Sequence, residues 1–287
     1  MTSTCTITAA HGRNFIAESP EGERFQCLTR GKKRDLACGD RVEIHPLANG
    51  QAVIECALER TSVLFRSDAF KQKVIAANVT QIVIVVAGLP PFSDEVLARC
   101  LVAAEAQQIG AVIVLNKCDL ADIAESVAAR IAPFAKLGYP VVPLVAIDSA
   151  DALLPLLRGH ANVLVGESGM GKSTLINQLV PGARASIGEI SVALNTGRHT
   201  TTHATLYRLA ADTTIIDSPG LQAFGLAHLD RADLERGFVD FRPYLGQCRF
   251  RDCAHRHEPD CAVLAAVDCG ALESRRLALF HSILGAP

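Results

Sequence analysis

Apolar and polar positions alternate in short runs over the first sixty or so residues, and then give way to longer, unbroken apolar runs. Residues 6–8, 14–17, 24–28, 40–44 and 51–55 each read as a short strand with an apolar residue at every second position. Turn signals separate them at residues 19–22 (Ser-Pro-Glu-Gly), 38–40 (Cys-Gly-Asp) and 48–50 (Ala-Asn-Gly). Five short strands in residues 1–65 predict a small closed β-barrel, with an OB-fold as the best match. Between two of the strands lies Arg30-Gly-Lys-Lys-Arg34, which reads either as a solvated turn or as a loop that tracks RNA phosphates.

Residues 60–73 are polar and read as a linker. From there the pattern changes to strands alternating with helices. Residues 81–87 form a continuous β-branched run, as in a strand buried on both faces of a parallel sheet. A helix over 93–108 starts at Ser93 ahead of Asp94 and Glu95, and Gly110 is expected to close it. Further strands are predicted at 111–115, 139–146, 161–165 and 213–216, with short helices over 149–157 and from Lys172 to about Leu179. This is the pattern of a doubly wound α/β domain, which places ligands at the carboxyl ends of its strands. Residues 183–205 are polar and aperiodic, as functional loops often are. Beyond Asp230 the chain becomes charged and helical and ends in a helix over 273–284. The expected division is 1–65, 66–228 and 229–287.

Composition narrows the class. A formal charge of −2 excludes a global basic field, so any contact with RNA has to come from local patches. No apolar run reaches membrane-spanning length and the first residues lack a leader pattern, which predicts a cytoplasmic protein without a membrane partner. Of ten cysteines, six are scattered and four fall at 248, 253, 261 and 269. Scattered thiols suit a reducing compartment, and the cluster suits a metal.

The chemistry begins at residues 166–174. Gly166, Glu167, Ser168, Gly169, Met170, Gly171, Lys172, Ser173 and Thr174 follow a strand and open a helix with the spacing of a P-loop. Glycines let backbone N–H groups turn in around a phosphate, the helix N-terminus adds its dipole, Lys172 reaches the β- and γ-phosphates and Ser173 meets Mg²⁺. Asn116, Lys117, Cys118 and Asp119 end a buried strand. A carboxylate at Asp119 can accept from both the ring N–H and the exocyclic amine of guanine, which adenine cannot reciprocate. Asn116 is expected at the other base edge, with the Lys117 stem over the base. Asp217 and Gly220 complete a D-x-x-G after a strand, where the aspartate can hold Mg²⁺ through water and the glycine N–H can sense a γ-phosphate. Near the C-terminus, Cys248, Cys253 and Cys261 with a histidine supply a Cys₃His set for zinc, with His255 and His257 both in range. Cys269 reads as a packed thiol.

In most GTPases the P-loop comes first and N-K-x-D last, whereas here the order is inverted. The inverted order, the barrel, Gly197-Arg-His-Thr-Thr-Thr202, Asp217-Ser-Pro-Gly220 and the cysteine-rich tail together resemble the small ribosomal subunit biogenesis GTPase family RsgA, also called YjeQ. The resemblance covers nearly the whole chain. It implies a circularly permuted GTPase that binds the small ribosomal subunit through ribosomal RNA late in assembly and leaves on hydrolysis, acting as a monomer. GTP and GDP are then substrate and product, and Mg²⁺ and Zn²⁺ the metals. It also implies a flanking RNA-binding barrel and a zinc domain in which the C-x4-C-x-H-x5-C pattern selects His255.

By the same resemblance Thr201 joins Mg²⁺, with Thr200 and Thr202 beside it. Leu221 stands where many GTPases carry the glutamine that orients water, and the resemblance points instead to His199, which reads equally as a loop histidine with a structural hydrogen bond. A serine usual after the strand at 141–145 is replaced by Val145-Ala146, which removes one expected contact to guanine. The competing functional reading is a GTP-gated RNA-binding scaffold in which hydrolysis is incidental.

Overall fold

The computed structural model describes residues 2–12, 14–29, 35–68, 71–181, 183, 204–218 and 224–285. Five strands form the N-terminal barrel: β1 (Ser3–His11), β2 (Asn14–Glu18), β3 (Arg24–Thr29), β4 (Arg41–Pro46) and β5 (Gln51–Ala57). Strand β1 pairs with both β2 and β4, and β5 lies between β3 and β4, so the ring closes on itself. Alternation sends Ile7, Phe15, Phe25, Ile44 and Ile54 inward to form a core of its own. The basic loop at 30–34 lies outside the described residues.

Within residues 60–73, expected as a linker, lie β6 (Val63–Asp68) and the start of β7 (Lys71–Ala77), which pair antiparallel. Leu64 and Ala76 from this pair join the larger core of the central domain, and the expected boundary at residue 65 falls inside β6.

The central sheet contains β8 (Gln81–Val86), β9 (Gly110–Leu115), β10 (Val141–Pro143), β11 (Ala161–Val165), β12 (Thr205–Ala210) and β13 (Thr213–Asp217), in the order β10-β9-β8-β11-β13-β12. The first five are parallel, and β12 runs antiparallel at their flank. All six residues of β8 are buried, as its β-branched run predicts. Helices α1 (Asp94–Ala106), α2 (Ala121–Lys136), α3 (Leu154–Leu157) and α4 (Lys172–Leu179) make the crossovers. From β8 the chain winds outward through β9 and β10, then returns to β11 beside β8. The winding direction thus reverses between β8 and β11, and a crevice for ligands is expected outside their carboxyl ends.

Two local expectations change. The turn after α1 is made by Gln108 at φ 54°, while Gly110 is already the first residue of β9. The strand expected over 139–146 shrinks to three residues because Pro140 and Pro143 have no N–H to give to a ladder.

Strand β12 also reaches the barrel. Thr205 pairs with Ala9 of β1, the Cys38 thiol donates to the carbonyl of Ala204 at 3.0 Å, and Arg208 pairs with Glu18 of β2 at 3.1 Å. The C-terminal part comprises α5 (Arg231–Gly237), capped by the Asp230 side chain, a 3₁₀ turn over Val239–Tyr244, α6 (Ala262–Asp268) and α7 (Ser274–Gly285). Phe238, Phe241 and Phe280 pack against one another there, and Arg276 makes a bidentate pair with Asp240. Helix α7 is tied to the start of α1 by Ser282 on Glu95 and Arg275 on Asp94. Cys269, expected to be packed, is exposed, because α6 ends at Asp268 and the chain turns outward. No helix among the described residues is long and apolar enough to cross a membrane.

Candidate functional site

Strand β11 runs into the glycine-rich loop, and the loop's geometry explains its glycines. Gly166 sits at φ 145°, where a Cβ would lie 2.3 Å from the carbonyl oxygen of Val85. Gly171, the residue before α4, sits at φ 97°, and a Cβ there would meet Nδ2 of Asn116 at 2.1 Å. Only glycine fits either place. Helix α4 then presents its first N–H groups and its positive dipole end to the loop. Ser168 and Ser173 are exposed beside it, Met170 is buried beneath it and Thr174 is half-buried.

Lys172 folds back over the loop, its Nζ donating to the carbonyl of Gly166 at 2.5 Å and of Glu167 at 2.8 Å. Burial lowers its pKa, and attraction to Asp217 and Glu167 opposes that shift. Asp217 ends β13 two strand positions from β8, on the same carboxyl edge of the sheet. Burial raises its pKa and Lys172 pulls it back. Both groups are thus partly dehydrated, and each attracts the other near the carboxyl edge of the sheet.

Asn116 follows β9 and is 3% exposed. Its Nδ2 donates to the carbonyl of Met170 at 2.8 Å and its Oδ1 accepts from the N–H of Ala146 at 2.9 Å. It therefore braces the P-loop and the 145–148 turn, instead of standing free at a base edge as expected. The same bond uses the N–H that follows Val145. Lys117, at φ 63°, donates from Nζ to the carbonyl of Leu89 at 2.5 Å. Asp119 is exposed, and the side chain makes no hydrogen bond or ion pair among the described residues. It also leaves α2 uncapped, since Leu120 holds the N-cap position without a side-chain bond. The carboxylate is thus open to donors from a ligand. His199, Thr200, Thr201, Thr202, Gly220 and Leu221 lie outside the described residues.

Glu167 has a role that the motif does not announce. Its carboxylate accepts from the N–H of Ser93 at 2.6 Å, at the N-cap of α1. A P-loop side chain thus anchors the helix against which the C-terminal part docks. Nothing in the spacing of the motif marks this residue.

A second constellation is built from Cys248, Cys253, His255 and Cys261, whose ligand atoms all lie within 4.8 Å of one another. Sγ of Cys248 is 3.8 Å from Sγ of Cys261 and 3.7 Å from Nδ1 of His255, which lies 3.3 Å from Sγ of Cys261. A tetrahedral zinc with Zn–S near 2.3 Å and Zn–N near 2.05 Å requires edges of about 3.8 Å (S to S) and about 3.6 Å (S to N). The donors fit that ion. His255 adopts φ 56° to aim its ring inward, while its neighbour His257 is exposed. Burial pushes the Cys261 thiol up, but the Leu264 N–H, His255 and the neighbouring thiols outweigh it, so this sulfur ionises more readily than an ordinary cysteine.

Residues 57–227 match the family described as RsgA GTPase. The chain is 52% identical over 283 residues to a small ribosomal subunit biogenesis GTPase RsgA of Neisseria meningitidis serogroup C, covering 99% of this chain and 92% of the relative. It is 50% identical over 281 residues to the protein of that name from Nitrosomonas europaea, covering 97% and 90%. Among solved structures, YjeQ from Thermotoga maritima aligns with a TM-score of 0.76 and 30% identity over 100% of both chains. YloQ, described as a circularly permuted GTPase, aligns with a TM-score of 0.73 and 25% identity over 98% of this chain and 93% of its own.

Proposed function

The chain belongs to the RsgA GTPase family, and from that premise we propose that it hydrolyses GTP while bound to the small ribosomal subunit and leaves the subunit once GDP has formed. The observation that carries the reading is the bond from Asn116 to the Met170 carbonyl, which joins two motifs 54 residues apart in inverted order into one site.

In this reading Asp119 accepts from the two donors of guanine, which an adenine lacks, and the open carboxylate becomes buried only when the right base covers it. Lys172 exchanges its two main-chain acceptors for oxygens of the β- and γ-phosphates, and the N–H groups of residues 166–174 converge on the same anion. Ser173, Thr201 and, through water, Asp217 hold Mg²⁺, which when bound neutralises charge on the phosphates. Leu221 cannot orient water, so His199 takes that task. Gly220 senses the γ-phosphate.

The finer partner and cofactor assignments belong to the same proposal. Cys248, Cys253, His255 and Cys261 hold a structural zinc, as their mutual distances support. The barrel, expected over residues 1–65, contacts ribosomal RNA, and the zinc domain, residues 229–287, flanks the GTPase domain, expected over 66–228, whose core also takes in Leu64 of β6. The protein works as a monomer in the cytoplasm. Turnover of GTP, measured with and without purified small subunits, tests the reading: slow hydrolysis alone and strong acceleration by subunits is expected, and equal rates would overturn it.

A further inference from the structure

Helix α5 sends two side chains, one turn apart, into the loop that carries the cysteine and histidine cluster. Arg231 donates from Nη1 to the carbonyl of Asp252 at 3.2 Å, immediately before Cys253, and from Nε to Oε1 of Glu235 at 2.9 Å. That same Oε1 lies 3.4 Å from Nε2 of His255. Nε2 is buried and has no better-placed partner among the described residues, whereas Nδ1 of the same ring faces the sulfurs of Cys248 and Cys261.

A neutral imidazole can bind a metal through Nδ1 only if its proton is on Nε2. A carboxylate beside Nε2 selects that tautomer, fixes the ring plane and makes the ligating nitrogen more basic. Without such an acceptor the buried Nε2–H that metal binding requires would be left unpaired, a cost met in the loaded state, since the empty site can keep the proton on Nδ1 facing the sulfurs.

We propose that Glu235, buttressed by Arg231, is the outer-shell carboxylate of the metal centre: a positioning residue that acts on zinc through His255. This rests on the reading that the four-residue cluster holds zinc. Glu235 belongs to the helix that packs on α1, where Gly237 approaches so closely that a Cβ would lie 2.7 Å from Val102. The metal centre is therefore fastened to the nucleotide-binding domain as well as to its own loop.

The test uses the full chain as wild type, Glu235→Ala and Glu235→Gln. Zinc affinity is measured by competition with a chromogenic chelator, melting temperature before and after zinc is stripped, and the visible spectrum after loading with Co²⁺. Glu235→Ala should bind zinc about 10–100-fold more weakly, with Glu235→Gln in between because its amide oxygen still accepts from Nε2–H. The Co²⁺ spectrum should change in the alanine variant, while the stripped proteins should melt alike. An affinity within about twofold of wild type, or an equal drop in melting temperature in stripped and loaded protein, would overturn the role, since either result means that Glu235 does not act through the metal. The nearly isosteric glutamine variant keeps the test open should the alanine variant not fold. A wild-type protein that binds no stoichiometric zinc would instead overturn the ligand reading itself.

Discussion

Thr205 stands directly opposite Asp217 in the β12–β13 pair, and its other edge pairs with Ala9 of β1. One strand thus separates a carboxylate of the nucleotide site from the barrel. The contact is reinforced by Arg208 on Glu18, whose side chain is largely buried while that of Arg208 is about one-third exposed. Any displacement of β12 is felt on both sides of it.

Reversing the charge of Arg208 tests this joint. Arg208→Glu sets two carboxylates against each other and should lower stability by about 1 kcal/mol, or about 2–4 °C in melting temperature, an amount reduced by solvent screening at a partly exposed pair. GTP turnover by the free protein should stay near wild type, because Arg208 touches no nucleotide-site residue. The part of turnover added by small subunits should fall. Loss of both rates together would mean that the joint only supports folding.

Base choice should follow from the open carboxylate of Asp119. Asp119→Asn replaces one of its acceptor oxygens with an N–H₂ donor, which clashes with the amine of guanine but complements the carbonyl that xanthine carries in its place. GTP affinity is expected to fall by about 10²–10⁴-fold, in line with the penalty for mismatched buried polar groups, and xanthosine triphosphate should bind in its stead. Competition binding with both nucleotides measures this. Unchanged preference for GTP would remove Asp119 from the base site.

The glycines of the loop make unequal demands. Gly166→Ala drives a Cβ into a main-chain carbonyl 2.3 Å away that cannot step aside, so a loss above about 2 kcal/mol and abolished nucleotide binding are expected. Gly138 also has positive φ, but nothing lies within 4 Å of its Cβ position. Gly138→Ala should therefore cost only about 1 kcal/mol of backbone strain and leave binding intact. Denaturant titration and nucleotide binding of the two variants separate conformational strain from steric exclusion.

The fold and both constellations were legible wherever the sequence signal is local. The β-branched run of β8, the glycine spacing of the P-loop and the Cys-x4-Cys-x-His-x5-Cys set depend on neighbours along the chain, and the structure places them as read. What was missed depends on residues far apart. Asn116 braces Met170 and Ala146 because three strand ends meet there, which no single segment encodes. Glu167 at the N-cap of α1 and Glu235 beside His255 look in sequence like ordinary surface acids, one inside a motif's variable positions and one in a charged helix. The hairpin of β6 and β7 was hidden by a polar stretch of sequence, and its packing of Leu64 and Ala76 into the central core is not encoded locally.

Asp217 connects site chemistry to stability. Burial raises its pKa, and the attraction of Lys172 offsets only part of that. A carboxyl whose folded pKa lies above its unfolded value holds its proton more tightly in the folded protein. Its favourable contribution is complete below the unfolded pKa and is lost as pH rises through the folded one. At pH 7 the ionised, dehydrated Asp217 therefore destabilises the nucleotide-free protein, a cost that the proposed contact with Mg²⁺ through water would offset. Asp217→Asn keeps the shape and removes the charge. The variant should melt above wild type at neutral pH, and the gap should narrow as pH falls toward the carboxylate range, where wild type takes up the proton itself. Its Mg²⁺-dependent GTP turnover should fall sharply at the same time. Calorimetry of the nucleotide-free proteins across this range, paired with turnover assays, reads both effects. A gap independent of pH would show that charge burial is not its cause, and a variant less stable than wild type at pH 7 would mean that attraction to Lys172 outweighs dehydration.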